Sequence, residues 1–438
     1  FAPNGKVIAA MDQSIKDHHC TKQFYNVPDT LGQTDGFATP SVRNELWNEN
    51  VRAACALVVE QLQITKLSPI RVDKEEDLYE VWSTPKASAG AIKIGSSKKN
   101  SIKECFNAVQ KIGKMIQSEE DPESIQIPAI PFHRAQISGF SVNDEYCGEK
   151  LKKKDRLVWG LDGGTVSFEG RFAKPLIEHV SKVWFGYAGG KSPEALRSSI
   201  RKSLASKMWW TSVDYSKFDQ TIPDWLIEWC FNQIKRFFDV TYHKELDWIA
   251  YNFINTKIAI PGRGIFCKHK GIPSGSNFTQ LVGSMANAVM AMSFIASNCK
   301  DGKFQDKIDY VKKELSSHYH SDLSMFVMGD DNIMFTSTKL DMALFSSYVH
   351  RMFGVVIHPD KCDSGSRSDD PVFLKRRWQY RGEYQDPIYL TINVSHPERR
   401  RSYKGYSPWH IIYGLYLTYQ NSFPNIVTER KLVELMEQ

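Results

Sequence analysis

Acidic residues at three places in this 438-residue chain could share one piece of chemistry. Asp214 closes the apolar, β-prone run from Lys207 to Val213, Asp219 follows after a four-residue gap, and Asp330 and Asp331 follow Gly329 between two short apolar runs. An in-line attack on a phosphate builds charge on the attacking oxygen, the leaving oxygen and the phosphate itself. Two Mg²⁺ ions about 3.5–4 Å apart can neutralise it. Mg²⁺ takes hard oxygen ligands and keeps waters and substrate phosphates in its shell, so two or three carboxylates on rigid elements suffice. Asp214, Asp330 and Asp331 supply that count.

The elements that must hold these acids can be read from the pattern around them. Lys207 to Val213 looks like a buried strand presenting a carboxylate at its tip. After Pro223 the spacing turns helical, with Leu226, Trp229, Cys230, Gln233, Ile234 and Phe237 on one face and Pro223-Asp224 suited to a helix start. Asp214 to Asp219 is then a strand-to-helix loop. Phe326 to Met328 and Ile333 to Phe335 read as two short strands around a Gly/Asp/Asn turn, a β-hairpin with carboxylates at its tip. Between the two units, Pro273 to Thr279 is a small-residue loop opening a long helix through about Ala296. Helical texture also marks Asn44 to Leu62, Trp409 to Tyr419 and Thr428 to Met436.

Gly-Asp-Asp alone is weak, since it would occur by chance in about one in ten chains of this length. The ordered set is stronger: Asp214-x₄-Asp219, Ser274-Gly275-x₃-Thr279, Gly329-Asp330-Asp331, His358-Pro-Asp-Lys361 and Phe373-Leu-Lys-Arg376, all within about 165 residues. In order and spacing it resembles motifs A to E of the palm of viral RNA-dependent RNA polymerases. Lys150 to Arg156 resembles motif F, and Ser88-Ala89-Gly90 resembles motif G. The phrases Asp-Tyr-Ser-Lys-Phe-Asp and Gly-Ile-Pro-Ser-Gly-Ser-Asn-Phe-Thr look most like the partitivirus and picobirnavirus group of double-stranded RNA viruses.

That resemblance implies a role for each matching residue. Asp214 and Asp330 would be the principal Mg²⁺ ligands, with Mn²⁺ as a substitute ion, Asp331 assisting and the Tyr215 carbonyl adding an oxygen. Lys361 would protonate the leaving pyrophosphate, a general-acid task for an ammonium group with a suitable pKa. Asp219 would recognise the ribose 2′ hydroxyl, which a deoxynucleotide lacks. Ser274, Gly275 and Thr279 would meet the same sugar and the template backbone, with Gly275 allowing close approach. Lys154 and Arg156 would contact triphosphate oxygens, Arg being the better bidentate clamp. Ser88, Gly90, Lys375 and Arg376 would lie along the RNA. One departure stands out: the picornavirus pattern has Asn four residues after the motif B Thr, where this chain has Gly283. Asn287, one turn on, is the candidate substitute partner for Asp219.

The composition is that of a folded globular protein, 42% hydrophobic and 24% charged, with a net charge of +6 that by itself decides little. Basic residues cluster at 98–99, 150–156, 375–377 and 399–401, and each cluster alone reads first as a solvated face. Eight cysteines without a Cys-x-x-Cys pair suggest a reduced, intracellular protein rather than a disulfide framework. The apolar run Leu281 to Ala296 is broken by Gly283, Ser284, Asn287 and Ser293, so a buried helix is expected there and no membrane span.

The expected architecture is α+β, an antiparallel sheet flanked by helices. The right hand of fingers, palm and thumb comes from the resemblance alone. Fingers would take residues 1–205 and 224–270, the palm 206–223 and 271–380, and the thumb 381–438. Because the first residue is Phe1 and the thumb is short for the family, the chain is expected to be part of a longer product. Expected partners are RNA template and product, ribonucleoside triphosphates and a viral capsid protein, in the virion interior or host cytoplasm. Two rivals remain open: a reverse transcriptase, disfavoured by Asp219 after Phe218 and by Gly329 before the acids, and a non-catalytic RNA-binding virion protein.

Overall fold

A computed structural model describes residues 34–41, 48–138, 152–260, 264–300, 302–317, 322–379 and 382–384, with backbone alone at 35, 133–138, 152–157, 379 and 382–384. The helices expected at Trp409 to Tyr419 and Thr428 to Met436, and nearly all of the expected thumb, lie outside the described residues.

The described residues fall into two compact units, one within residues 34–132 and 158–369, the other holding 133–138, 152–157, 370–379 and 382–384. In the larger unit the helix Thr279–Ser297 packs along the helix Glu49–Leu62 and also touches Asp224–Lys235, Phe304–Leu315 and Met342–Phe353. Segments far apart in sequence therefore share one apolar core. Every residue from Leu281 to Ala296 is buried. An all-round apolar helix is stable in water only if enclosed in this way, so its membrane-like length and hydropathy reflect its place in the core.

A four-stranded antiparallel sheet lies in the larger unit, in the order Asp363–Ser366, Trp209–Val213, Asp331–Thr336, Met325–Met328. The hairpin of Met325–Met328 and Asp331–Thr336 is covered on both faces, so Phe326, Val327, Ile333, Met334 and Phe335 are all buried. That explains why the hairpin reads as two continuous apolar runs instead of an alternating pattern. Met328 pairs with Asp331, leaving Gly329 and Asp330 as a two-residue turn. Gly329 has φ +65°, as the first central residue of a II′-type hairpin turn requires.

In the smaller unit, strands Val372–Phe373, Arg376–Gln379 and Gly382–Tyr384 form an antiparallel meander. Leu374 and Lys375 make its first turn with φ of 54° and 58°, the left-handed pair of a type I′ hairpin, achieved here without glycine. Strands Ile130–Ser138 and Lys152–Gly160 pair with each other. Lys154 and Arg156 fall in the second of these, and their side chains lie outside the described residues.

Candidate active site

The sheet register brings the expected acids together. Val213 pairs with Asn332 and Met328 with Asp331, so Asp214, directly after Val213, leaves its strand at the end of the sheet where the Gly329-Asp330 turn stands. On the other side Asp363 pairs with Ser212, two residues after Lys361, which ends the turn Pro359–Lys361. Asp214 and Asp330 are exposed, while Asp331 is half-buried. Strand tips thus present carboxylates to solvent while the apolar strand bodies hold their spacing.

The segment around Lys361 docks directly on the Asp214 backbone. Tyr215–Ser216 is a second short strand paired with Val356–Ile357, a refinement of the simple loop expected between Asp214 and Asp219. The Asp214 amide donates to Cys362 Sγ at 3.4 Å, and the Asp214 carbonyl accepts from the His358 amide at 3.4 Å. Cys362 in turn donates to the His358 carbonyl at 3.3 Å. Burial pushes the Cys362 thiol up from its ordinary value, keeping it a neutral donor. Lys361 itself is exposed, in the turn Pro359–Lys361.

Asp219 lies exposed in the first turn of the short helix Phe218–Thr221. Its carbonyl accepts from the Ile272 amide at 2.6 Å, and the Gly271 amide donates to the Ile222 carbonyl at 2.9 Å. These bonds tie the Asp219 turn to the residues entering the Ser274 loop. Thr279 closes that loop by donating its hydroxyl to the Pro273 carbonyl. A Cβ on Gly275 would stand 2.8 Å from the Leu161 amide nitrogen and 2.9 Å from the Trp159 carbonyl. The close approach expected of Gly275 is therefore made to the chain's own backbone. Ser88 is exposed, whereas Gly90 is buried with φ +67° against the Asp162 backbone, so of this pair only Ser88 presents a side chain to solvent.

Asn287 differs from its expected use. Its Nδ2 donates to the carbonyls of Gly329 at 2.9 Å and Asp330 at 3.0 Å. An amide has two N–H donors, and both are taken by the hairpin turn, leaving none for the Asp219 carboxylate. Gly283 explains the departure from the picornavirus pattern: a Cβ there would lie 3.3 Å from Gly329 Cα. A side chain at 283 would crowd the turn, which would have to give by a few tenths of an ångström, and Ser284 Oγ, which accepts from the Gly329 amide at 2.9 Å, uses that closeness.

Several residues here escaped the sequence reading. Asn332, buried beside Asp331, accepts from the Val213 amide at 3.2 Å through Oδ1. Glu169, fully buried on the helix Gly163–Val183, accepts from Ser276 Oγ at 2.9 Å and the Asn277 amide at 2.8 Å. Burial pushes Glu169 up to about 8, the Asn277 and Ser276 hydrogen bonds only partly opposing it, and Asp162 nearby adds to the rise. Asp162, which caps the same helix through Gly164 and Thr165, is likewise raised by burial to about 6. Asn332 follows visibly from Gly-Asp-Asp-Asn, but nothing in the local pattern marks Glu169.

Among the described residues, no three acid, imidazole or thiol ligands form a ready-made metal cage. The donors present are the exposed carboxylates of Asp214 and Asp330 and the half-buried Asp331, a partial oxygen set of the kind a hard divalent cation completes with water and substrate oxygens. The residues fit a divalent cation of that kind.

Residues 142–389, more than half of the chain, match the family described as viral RNA-dependent RNA polymerase. A curated relative, the RNA-directed RNA polymerase of Cryptosporidium parvum virus 1 (strain KSU-1), is 31% identical over 149 residues, covering 32% of this chain. That match spans only 27% of the relative's length. Among solved structures, the RNA-dependent RNA polymerase of a human picobirnavirus aligns over 93% of this chain and 73% of its own, with TM-score 0.66 and 14% identity. Its insertion-loop deletion mutant aligns over 93% and 75%, with TM-score 0.65 and 14% identity. At that identity the likeness establishes the fold, the right-hand polymerase architecture with an antiparallel sheet. The family match covers more than half of the chain, including residues 150–376 that carry motif sequences A to F, and this chain belongs to the viral RNA-dependent RNA polymerases.

Proposed function

We propose that the chain directs template-dependent synthesis of RNA from ribonucleoside triphosphates, in the transcription and replication of a double-stranded RNA virus genome. The observation that supports this most is the sheet register, which ends the strand before Asp214 beside the hairpin that carries Asp330 and Asp331 at its tip. Asp214 and Asp330 hold two Mg²⁺ ions, assisted by Asp331 and the Tyr215 carbonyl, and Mn²⁺ can substitute. Bound there, the ions neutralise charge on the transferring phosphate.

Lys361 delivers a proton to the departing pyrophosphate. Asp219 accepts a hydrogen bond from the ribose 2′ hydroxyl, and Ser274, Gly275 and Thr279 line the sugar and template side. Lys154 and Arg156 steer the triphosphate by charge, while Ser88, Gly90, Lys375 and Arg376 follow the RNA backbone, leaving sequence reading to base pairing. The fingers, palm and thumb take the residue ranges given above. The enzyme works in the virion interior or host cytoplasm, beside a capsid protein and away from membrane.

The test is incorporation of labelled UTP against dTTP on an RNA template, with Asp330→Ala beside the wild type. UTP preference is expected, with loss of synthesis but retained template binding in Asp330→Ala. Preference for dTTP would mean a reverse transcriptase, and full activity in the variant would remove the metal site from the mechanism.

A further inference from the structure

Behind the acids lies a buried cluster of uncharged polar side chains. Tyr215 directly follows Asp214, and Asn332 directly follows Asp331, while Ser284 and Asn287 come from the helix Thr279–Ser297. Asn287 and Asn332 are completely buried, and Tyr215 nearly so. Asn287 Oδ1 accepts from the Tyr215 hydroxyl at 3.1 Å and from Asn332 Nδ2 at 2.6 Å. Its Nδ2 donates to the Gly329 and Asp330 carbonyls at 2.9 and 3.0 Å. Carbonyls can only accept, so this amide orientation is forced by its partners. Asn332 Nδ2 also approaches the Tyr215 hydroxyl at 3.3 Å, and its Oδ1 takes the Val213 amide.

One amide therefore bonds to residues next to all three acids. Without a cation the carboxylates repel each other, and a hairpin turn is the easiest part of the sheet to displace. A charged clamp would alter the affinity of the acids for their ion, whereas a neutral and fully satisfied network holds their spacing without doing so.

We infer that Asn287, acting through Tyr215 and Asn332, is the positioning centre that sets the separation of Asp214 from the hairpin acids and thereby the site's preference for Mg²⁺. This rests on the metal-site reading above. Mg²⁺ demands near-ideal octahedral geometry at short distance, so slackness at the turn weakens Mg²⁺ first.

The test measures ion binding directly, by titrating the full chain with Mn²⁺ followed by electron paramagnetic resonance and displacing it with Mg²⁺, without nucleotide. Tyr215→Phe deletes one hydroxyl and keeps the buried ring, and Asn287→Ala removes the centre. Each is expected to raise the Mg²⁺ displacement midpoint at least about fivefold while moving Mn²⁺ binding by less than about twofold, against a thermal midpoint read in parallel. If Tyr215→Phe folds and both midpoints stay at wild-type values, the cluster is packing alone and the inference falls. If wild-type Mn²⁺ binding is insensitive to Asp330→Ala, the metal site itself fails and takes this inference with it.

Discussion

Glu169→Gln is the sharpest probe of how the Ser274 loop is held. The carboxyl is wholly buried, with Oε2 receiving Ser276 and Asn277 and Oε1 without a partner among the described residues. Glutamine keeps the shape and an acceptor for both bonds but has no proton to lose. Burial raises Glu169 from 4.5 to about 8, so between these values the folded protein holds a proton that the unfolded chain has released. The contribution to stability is fully present below the unfolded value and is lost as pH rises through the folded one. The slope is about 1.4 kcal/mol per pH unit inside that window. From about pH 5.5 to about pH 8.5 the wild type should lose on the order of 3 kcal/mol relative to Glu169→Gln. Asp162 titrates in both proteins, so the difference reports Glu169 together with its coupling to Asp162. Urea unfolding of the two side by side, followed by tryptophan fluorescence, measures the difference. If it stays constant within about 0.5 kcal/mol across that range, Glu169 ionises freely and the clamp on the loop is wrong.

Other perturbations test separate contacts. Gly275→Ala should cost about 1–3 kcal/mol, read by denaturation, because its Cβ would meet two backbone atoms that cannot rotate away. Restoring the picornavirus-like residue with Gly283→Asn should destabilise by a similar amount, about 1–3 kcal/mol, and slow synthesis, since Gly329 is held against the helix by Ser284 and Asn287. Asp219→Ala should narrow the preference for UTP over dUTP by about 10–100-fold, the worth of one charge-assisted hydrogen bond. An unchanged ratio would remove Asp219 from sugar recognition.

The sequence by itself located the acids and the elements that carry them. Hydrophobic period and turn residues located the strand before Asp214, the Gly329-Asp330 hairpin, the helix after Pro223 and the buried helix from Thr279, all found in the structure. These are local features, fixed by backbone preference and burial over a few residues. Tertiary structure alone decided which groups meet. Asn287 finds its carbonyl partners 42 and 43 residues away and Tyr215 72 residues away, while Glu169 reaches Ser276 across 107. A hydrogen bond between buried polar groups leaves no periodic trace in either segment, so from the sequence Asn287 could equally be a partner for Asp219 or a packing hydrogen bond inside the helix. The structure turns it to the hairpin, where it donates to the Gly329 and Asp330 carbonyls. Likewise the pairing of Tyr215–Ser216 with Val356–Ile357, which brings His358 and Cys362 onto the Asp214 backbone, depends on strands some 140 residues apart meeting as a two-stranded sheet.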